Sequence, residues 1–339
     1  MIKIDDRIKN KIIRGSVLVF LSFMLLLPNA SLQGASNGLL LWFEHVLPNL
    51  LPFIILSNLI VRLNITGQIS RFLYPVLGRL FRVSADGCYP IAIGFLSGLP
   101  MGAKATADLI AKQRLNHKEG QFLLGMCNNA SPMFILGYIS VTQLKLPQIK
   151  YTLFAIIYAS AILSAVLYRI LTRSKAEQVP ASLYAMSNSE KRTVPTKLVR
   201  ADQPLGEPQP RFSFQLLDTS IMNGFEVITK IGGYIILFSI LASMLNTVFP
   251  NNGIWKGLIV GFLEITTGIS QICQSALSEP IKIVLVSSLT SFGGFSSIAQ
   301  TKSVLGNSGL SIKSYIIVRL LNAAITGILA YGYTVYLLH

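Results

Sequence analysis

The residues able to do chemistry in this chain sit inside apolar stretches, where each is costly unless it has a partner or a purpose. Gly94, Gly98, Pro100 and Gly102 interrupt the hydrophobic run 88–111, which reads Gly-Phe-Leu-Ser-Gly-Leu-Pro-Met-Gly at its centre. A Gly-x-Pro-x-Gly knot breaks a helical hydrogen-bond ladder. The backbone groups it frees cannot face lipid, so the break must be buried in protein or line a wet cavity. Residues 127–132, Cys-Asn-Asn-Ala-Ser-Pro, place Asn128, Asn129 and Ser131 at the centre of another apolar run. Glu264 stands with Thr266 and Thr267 in a third, Gly293 and Gly294 interrupt a fourth, and Arg319 and Asn322 open the last. Helix ends exposed at such breaks offer N–H groups to anions and C=O groups to cations, which is how a membrane protein binds a small solute with few charged side chains. The candidate substrate-binding residues are therefore Gly98, Pro100, Gly102, Asn128, Asn129, Ser131, Glu264, Thr267, Gly293, Gly294 and Asn322. Competing readings are a plain helix kink at Gly98–Pro100, structural amide ties for the asparagines, and for Glu264 an interfacial carboxylate facing water or capping a hairpin. Arg319, near the start of its run, reads as a side chain that snorkels to the interface.

Other chemistries find no residues. There is no Ser-His-Asp set, HExxH, P-loop or carboxylate pair, so an enzyme is not expected. Cys88, Cys127 and Cys273 form no CxxC, and His45, His117 and His339 complete no zinc or haem constellation. Neither a metal nor a cofactor is expected. Twenty-nine Lys and Arg against fourteen Asp and Glu give a net charge of +15. These basic residues lie between the apolar segments, as cytoplasmic loops require, and not in a patch for nucleic acid.

Of 339 residues, 52% are hydrophobic and 13% charged, with a mean hydropathy of +0.57. Soluble domains carry about 25% charged residues. The fold class expected is an all-α polytopic membrane protein with the lipid bilayer as its solvent. Residues 1–34 read as a basic cytoplasmic tail and an uncleaved first transmembrane helix, with 33–40 outside and a span over 40–61. Residues 66–82 put apolar groups at helical spacing opposite arginines and read as a helix lying on the inner surface. Basic residues flank 88–111 on both sides, which favours a re-entrant hairpin. Spans follow over 120–141 and 150–171, and 173–215 form a basic cytoplasmic linker. Further segments run over 223–249, 254–273, 280–299 (a second hairpin, broken at 291–297) and 315–338.

The two halves, 35–172 and 216–339, read as inverted repeats, each with an interfacial helix, a re-entrant hairpin and a broken transmembrane helix. Phe43-Glu44 echoes Phe225-Glu226, Gly98 aligns with Gly293, and Asn128 falls one position from Asn322. In this arrangement Lys256, Lys282, Lys302 and Lys313 lie outside, against the positive-inside tendency, unless 257–274 cross instead.

The motifs at 94–104, 127–135, 263–268 and 291–296, in that order, resemble the YlbJ family of sporulation integral membrane proteins, which carry a nucleoside-recognition Gate domain. The order of elements is also similar to that of concentrative nucleoside transporters. The resemblance implies a transporter-like fold in the cell membrane of an endospore-forming bacterium and a role in forming the spore cortex. The tip Ser97–Met101 lacks the Gln, Thr and Glu with which nucleoside carriers grip substrate, so the resemblance does not carry their nucleoside site over, and the solute expected is small and polar, a wall precursor or a nucleoside-like metabolite. The alternative is a non-transporting scaffold that recruits cortex-assembly proteins through 173–215. A second copy of the chain is a further candidate partner.

Overall fold

The computed structural model describes residues 6–176, 213–248 and 254–336, and every regular element among them is helical. Four segments are long and apolar enough to cross a membrane: Pro147–Thr172, Phe214–Val248, Glu279–Leu305 and Ile312–Tyr336. Two bent helix pairs raise the number to six. The chain is an integral membrane protein.

Helix α1 (Asp6–Leu26) turns by 104° into the run that starts at Pro28, whose ring cannot continue the helical ladder. From there α2 (Pro28–Leu41) passes through a π-helical turn, Trp42–Val46, into α3 (Leu47–Arg62). Residues 33–40, expected as an external loop, are thus helix. Here tertiary packing overrides a weak local signal. Gly34 and Gly38 let α2 press against α10 (Phe214–Val248), so close that a Cβ at Gly34 would lie 2.7 Å from Ile240 Cα. One turn on, Trp42 fills the notch at Gly232 and donates its Nε1–H to the Ile228 carbonyl at 2.9 Å. Contacts of residues 34, 38 and 42 with 240, 236 and 232 make the pair antiparallel. The stretch is polar because Gln33 and Asn37 line a vestibule, not because it loops.

After α3 the chain bends by 100° into α4 (Thr66–Leu73), a π-turn and α5 (Arg79–Phe81). This amphipathic segment buries Thr66, Ser70 and Phe81 and exposes Phe72, Val76 and Leu80, as a helix at the bilayer surface does. Helices α6 (Cys88–Ser97) and α7 (Met101–Ala111) then fold back on each other. At about 1.5 Å per residue each covers roughly 15 Å, half a bilayer. Both feet of this hairpin are held at one level by Arg114, which binds the Asp86 carboxylate through Nε (3.1 Å) and Nη2 and donates Nη1–H to Thr66 Oγ1 (2.9 Å). Next come α8 (His117–Cys127), a break at 128–131, the π-helical segment Phe134–Gln143, and α9 (Lys150–Ala176).

The second hairpin lies elsewhere than expected. Helices α11 (Ile254–Leu263) and α12 (Ile265–Gln274) fold back, with a Cβ at Gly268 striking the Gly261 backbone. The stretch 280–299 is no hairpin. Helices α13 (Glu279–Phe292) and α14 (Gly294–Leu305) run on as one broken span of 27 residues, about 40 Å and long enough to cross. Close glycine packing, which a tight fold-back needs, occurs at 261 and 268 rather than here. The expected pairing of Gly98 with Gly293 therefore joins a hairpin tip to a broken span. Pairing Asn128 with Asn322 likewise joins a break to the interior of the unbroken α15 (Ile312–Tyr336).

The four lysines also divide. His117 Nε2 meets the Gly309 carbonyl at 2.8 Å, and Gln121 bonds Ser311 in both directions. Lys302 and Lys313 flank this loop and so share an end with Arg114, while Lys282 lines a hollow with Lys145 at the opposite end. Of the expected linker, 177–212 lie outside the described residues; 173–176 complete α9 and 214–215 begin α10.

Candidate functional site

Four interruptions of the helices meet at the centre of the molecule. Gly98 at the first hairpin tip has φ +80, and a Cβ there would stand 2.6 Å from Ser131 N. Beside it the Leu99 N–H donates to the Asn129 carbonyl at 2.7 Å. Gly294, with φ +74, lies less tightly against the second tip, 3.2 Å from the Gly261 carbonyl oxygen and 3.4 Å from Ile265 N measured from its ideal Cβ. Each hairpin tip is thus docked on the break of a broken span. The Tyr158 hydroxyl from α9 sits between the carbonyls of Phe95 and Ala130, at 2.9 and 3.1 Å, and ties the first tip to its break.

Between the tips is a cavity of about 110 Å³, walled by Leu99, Ser131, Glu264, Thr266, Gly293 and Gln300, with His45 from the π-turn. Helices α7, α12 and α14 and the helix after Ser131 all begin at its walls. Helix starts carry unpaired N–H groups and about half a positive charge. One of these is neutralised from within. Glu264, 2% exposed, caps α12 by accepting from Thr267 N (2.8 Å), Thr267 Oγ1 (2.9 Å) and Thr266 Oγ1. On the far side of this tip, Thr267 faces a polar vestibule of about 810 Å³ that opens at the end carrying Lys256.

Behind the cavity lies Arg319, wholly buried. Its Nη1 donates to Asn129 Oδ1 at 2.7 Å and its Nε to the Phe292 carbonyl at 3.2 Å, so it bridges both broken spans. Among the described residues it has no carboxylate partner, and its Nη2 has no hydrogen bond. That nitrogen lies 3.8 Å from where a Gly293 Cβ would stand, against the cavity wall. The expectation that Arg319 snorkels to the interface is overturned. Its helix face explains why: Tyr315, Arg319, Asn322 and Thr326 recur at spacings of four, three and four and all point inward.

The expected site residues separate into two groups. Ser131, Glu264 and Gly293 line the cavity, with Gly98, Thr267 and Gly294 shaping its two tips. Pro100 opens α7 and is buried, and Gly102 packs on the Cys127 carbonyl. Asn128 donates to Thr301 Oγ1 (2.7 Å) and Tyr315 OH (2.8 Å), while its buried Oδ1 has no hydrogen-bond partner among the described residues. Asn322 accepts from Ser160 Oγ (2.8 Å) and donates to the Ser291 carbonyl (3.4 Å). Besides Arg319, sequence reasoning passed over Leu99, His45, Ser296 and Gln300, single polar or apolar residues with no local signal of their own.

The chain is similar to sporulation integral membrane protein YlbJ of Bacillus subtilis (strain 168), with 27% identity over 342 aligned positions that span 92% of this chain and 80% of that protein. No family model and no solved structure matches it. An alignment over 92% of the chain takes in both hairpins and both broken spans, so the cavity lies within the region of likeness.

Proposed function

We propose that this chain is a member of the YlbJ family and a membrane carrier for a small polar solute bearing negative charge, acting in endospore formation and there in cortex assembly. The observation that carries the reading is Arg319. Burying a cation costs several kcal/mol. The C-terminal carbonyl of α13 and the Asn129 amide return only part of that, since a helix end contributes about 0.3–1 kcal/mol. An uncompensated donor beside two helix starts that no side chain caps, those of α7 and α14, is a setting for a carboxylate or phosphate.

Two inverted halves account for the gating. Long helix, hairpin, broken span and long helix follow in this order twice, and the long helices α2–α3 and α10 cross antiparallel at their midpoints. Each tip then closes the cavity toward one end of the molecule. Small-molecule sites usually enclose about 300–1,000 Å³, so a cavity of about 110 Å³ represents the closed form, and a tip must lift for solute to enter. The excess of basic residues around Arg62, Arg71, Arg79, Arg82 and Arg114 assigns that end to the cytoplasm. The sporulation role rests on the likeness to the Bacillus subtilis sporulation protein; the cortex role rests on the family resemblance.

The test is counterflow in proteoliposomes with labelled mono- and dicarboxylates, phosphate esters and neutral analogues of each. Saturable exchange of anions that Arg319→Gln removes, with the variant still monodisperse in detergent, is expected. Equal exchange of the neutral analogues, or full activity in Arg319→Gln, would overturn the reading.

A further inference from the structure

A second hollow, remote from the central cavity, lies where α4, the turn before α6 and the turn after α7 meet. Its volume is about 760 Å³, and its walls include Gln68, Ser70, Arg71, Asp86, Lys112 and Arg114. The charges do not balance. Arg114 and Asp86 satisfy one another, whereas Arg71 and Lys112 form no ion pair among the described residues. An independent observation concerns Ser70, which is 1% exposed and whose Oγ has no hydrogen-bond partner among the described residues. Buried hydroxyls are nearly always satisfied, so this donor is held for an acceptor that is not part of the chain. Two cations, an amide and an unspent hydroxyl around one hollow match a phosphate group.

Depth identifies the source of that phosphate. Phe72, Val76 and Leu80 stand exposed at four-residue spacing along the same segment, which runs at 100° to α3. Such a ridge lies among acyl chains and sets Arg71, one residue from Phe72, at headgroup level. We propose that the hollow holds the phosphodiester headgroup of an anionic phospholipid in the leaflet at the basic end. Because Arg114 links Asp86 at the hairpin foot to Thr66 on α4, the bound lipid braces the first hairpin.

Native mass spectrometry and thermal unfolding of the full chain in detergent test this, with phosphatidylglycerol, phosphatidylcholine or inorganic phosphate added. Phosphatidylglycerol alone is expected to be retained and to raise the unfolding midpoint. Arg71→Ala with Lys112→Ala should weaken retention roughly thirtyfold, from about 1 kcal/mol per basic residue. Lys145→Ala with Lys282→Ala, the same charge loss at the opposite end, should leave it unchanged. Ser70→Ala removes only the unspent hydroxyl and should weaken retention about tenfold, the worth of a hydrogen bond to a charged group. Equal retention in wild type and Ser70→Ala, equal losses in both double variants, or equal protection by inorganic phosphate would each overturn the proposal.

Discussion

Arg319 and Asn128 are both fully buried and both polar, yet removing them should have opposite consequences. Asn128 is tied by two hydrogen bonds to Thr301 and Tyr315. Replacing it with Leu leaves those hydroxyls without a partner, so Asn128→Leu should cost about 1–3 kcal/mol and lower the unfolding midpoint in detergent. Arg319→Met deletes a lone buried charge of similar volume and is expected to leave that midpoint unchanged or raised, while abolishing anion exchange. If Arg319→Met unfolds the protein instead, the guanidinium is a structural bridge between the broken spans. At this scale the sequence was a partial guide. It marked Ser131, Glu264 and Gly293 because each is anomalous in an apolar run. It missed Arg319 because a residue seven positions into a helix, about 10 Å from its start, lies within reach of the interface. Only the packing of α15 against α13 and α9 shows which face it occupies.

At the scale of the element, the hairpins depend on glycines for close approach more than for bending. Gly261 and Gly268 bring α11 and α12 into backbone contact, so Gly268→Val should splay the arms at a cost of about 1–3 kcal/mol or more. Gly137→Ala, where nothing lies within 4 Å, should be neutral or stabilising by up to about 1 kcal/mol. Thermal unfolding of the two variants checks the contrast. A splayed second hairpin should also raise the labelling of Thr267→Cys from the vestibule end. The first hairpin was readable because Gly98 and Pro100 break the ladder within a run that is basic at both flanks. The second was misplaced. Gly293-Gly294 is the louder local signal, but left-handed glycines interrupt a helix without dictating whether the chain reverses. Glu264, a quieter signal, marks the true tip because its side chain caps the start of α12 with no Gly or Pro at the turn itself.

For the molecule as a whole, the loop contacts of His117 and Gln121 with Gly309 and Ser311 set the direction of the last two spans. They place the start of α15 at the basic end and its finish, Tyr336, at the other. Protease added outside right-side-out vesicles is therefore expected to remove a tag fused after His339 and to spare a cleavage site inserted at Gly306. The reverse pattern would mean that 279–305 does not cross.

Composition and segment length were enough to establish a helical membrane protein with interrupted spans, because lipid imposes the same demand on every backbone group and short apolar lengths cannot meet it unbroken. They were not enough to say which interruption folds back, which polar residue faces a cavity and which end holds Lys302 and Lys313. Those outcomes depend on contacts between residues as far apart as Gly34 and Ile240 or Asn129 and Arg319, where backbone proximity and an unmatched donor arise only once the helices are packed.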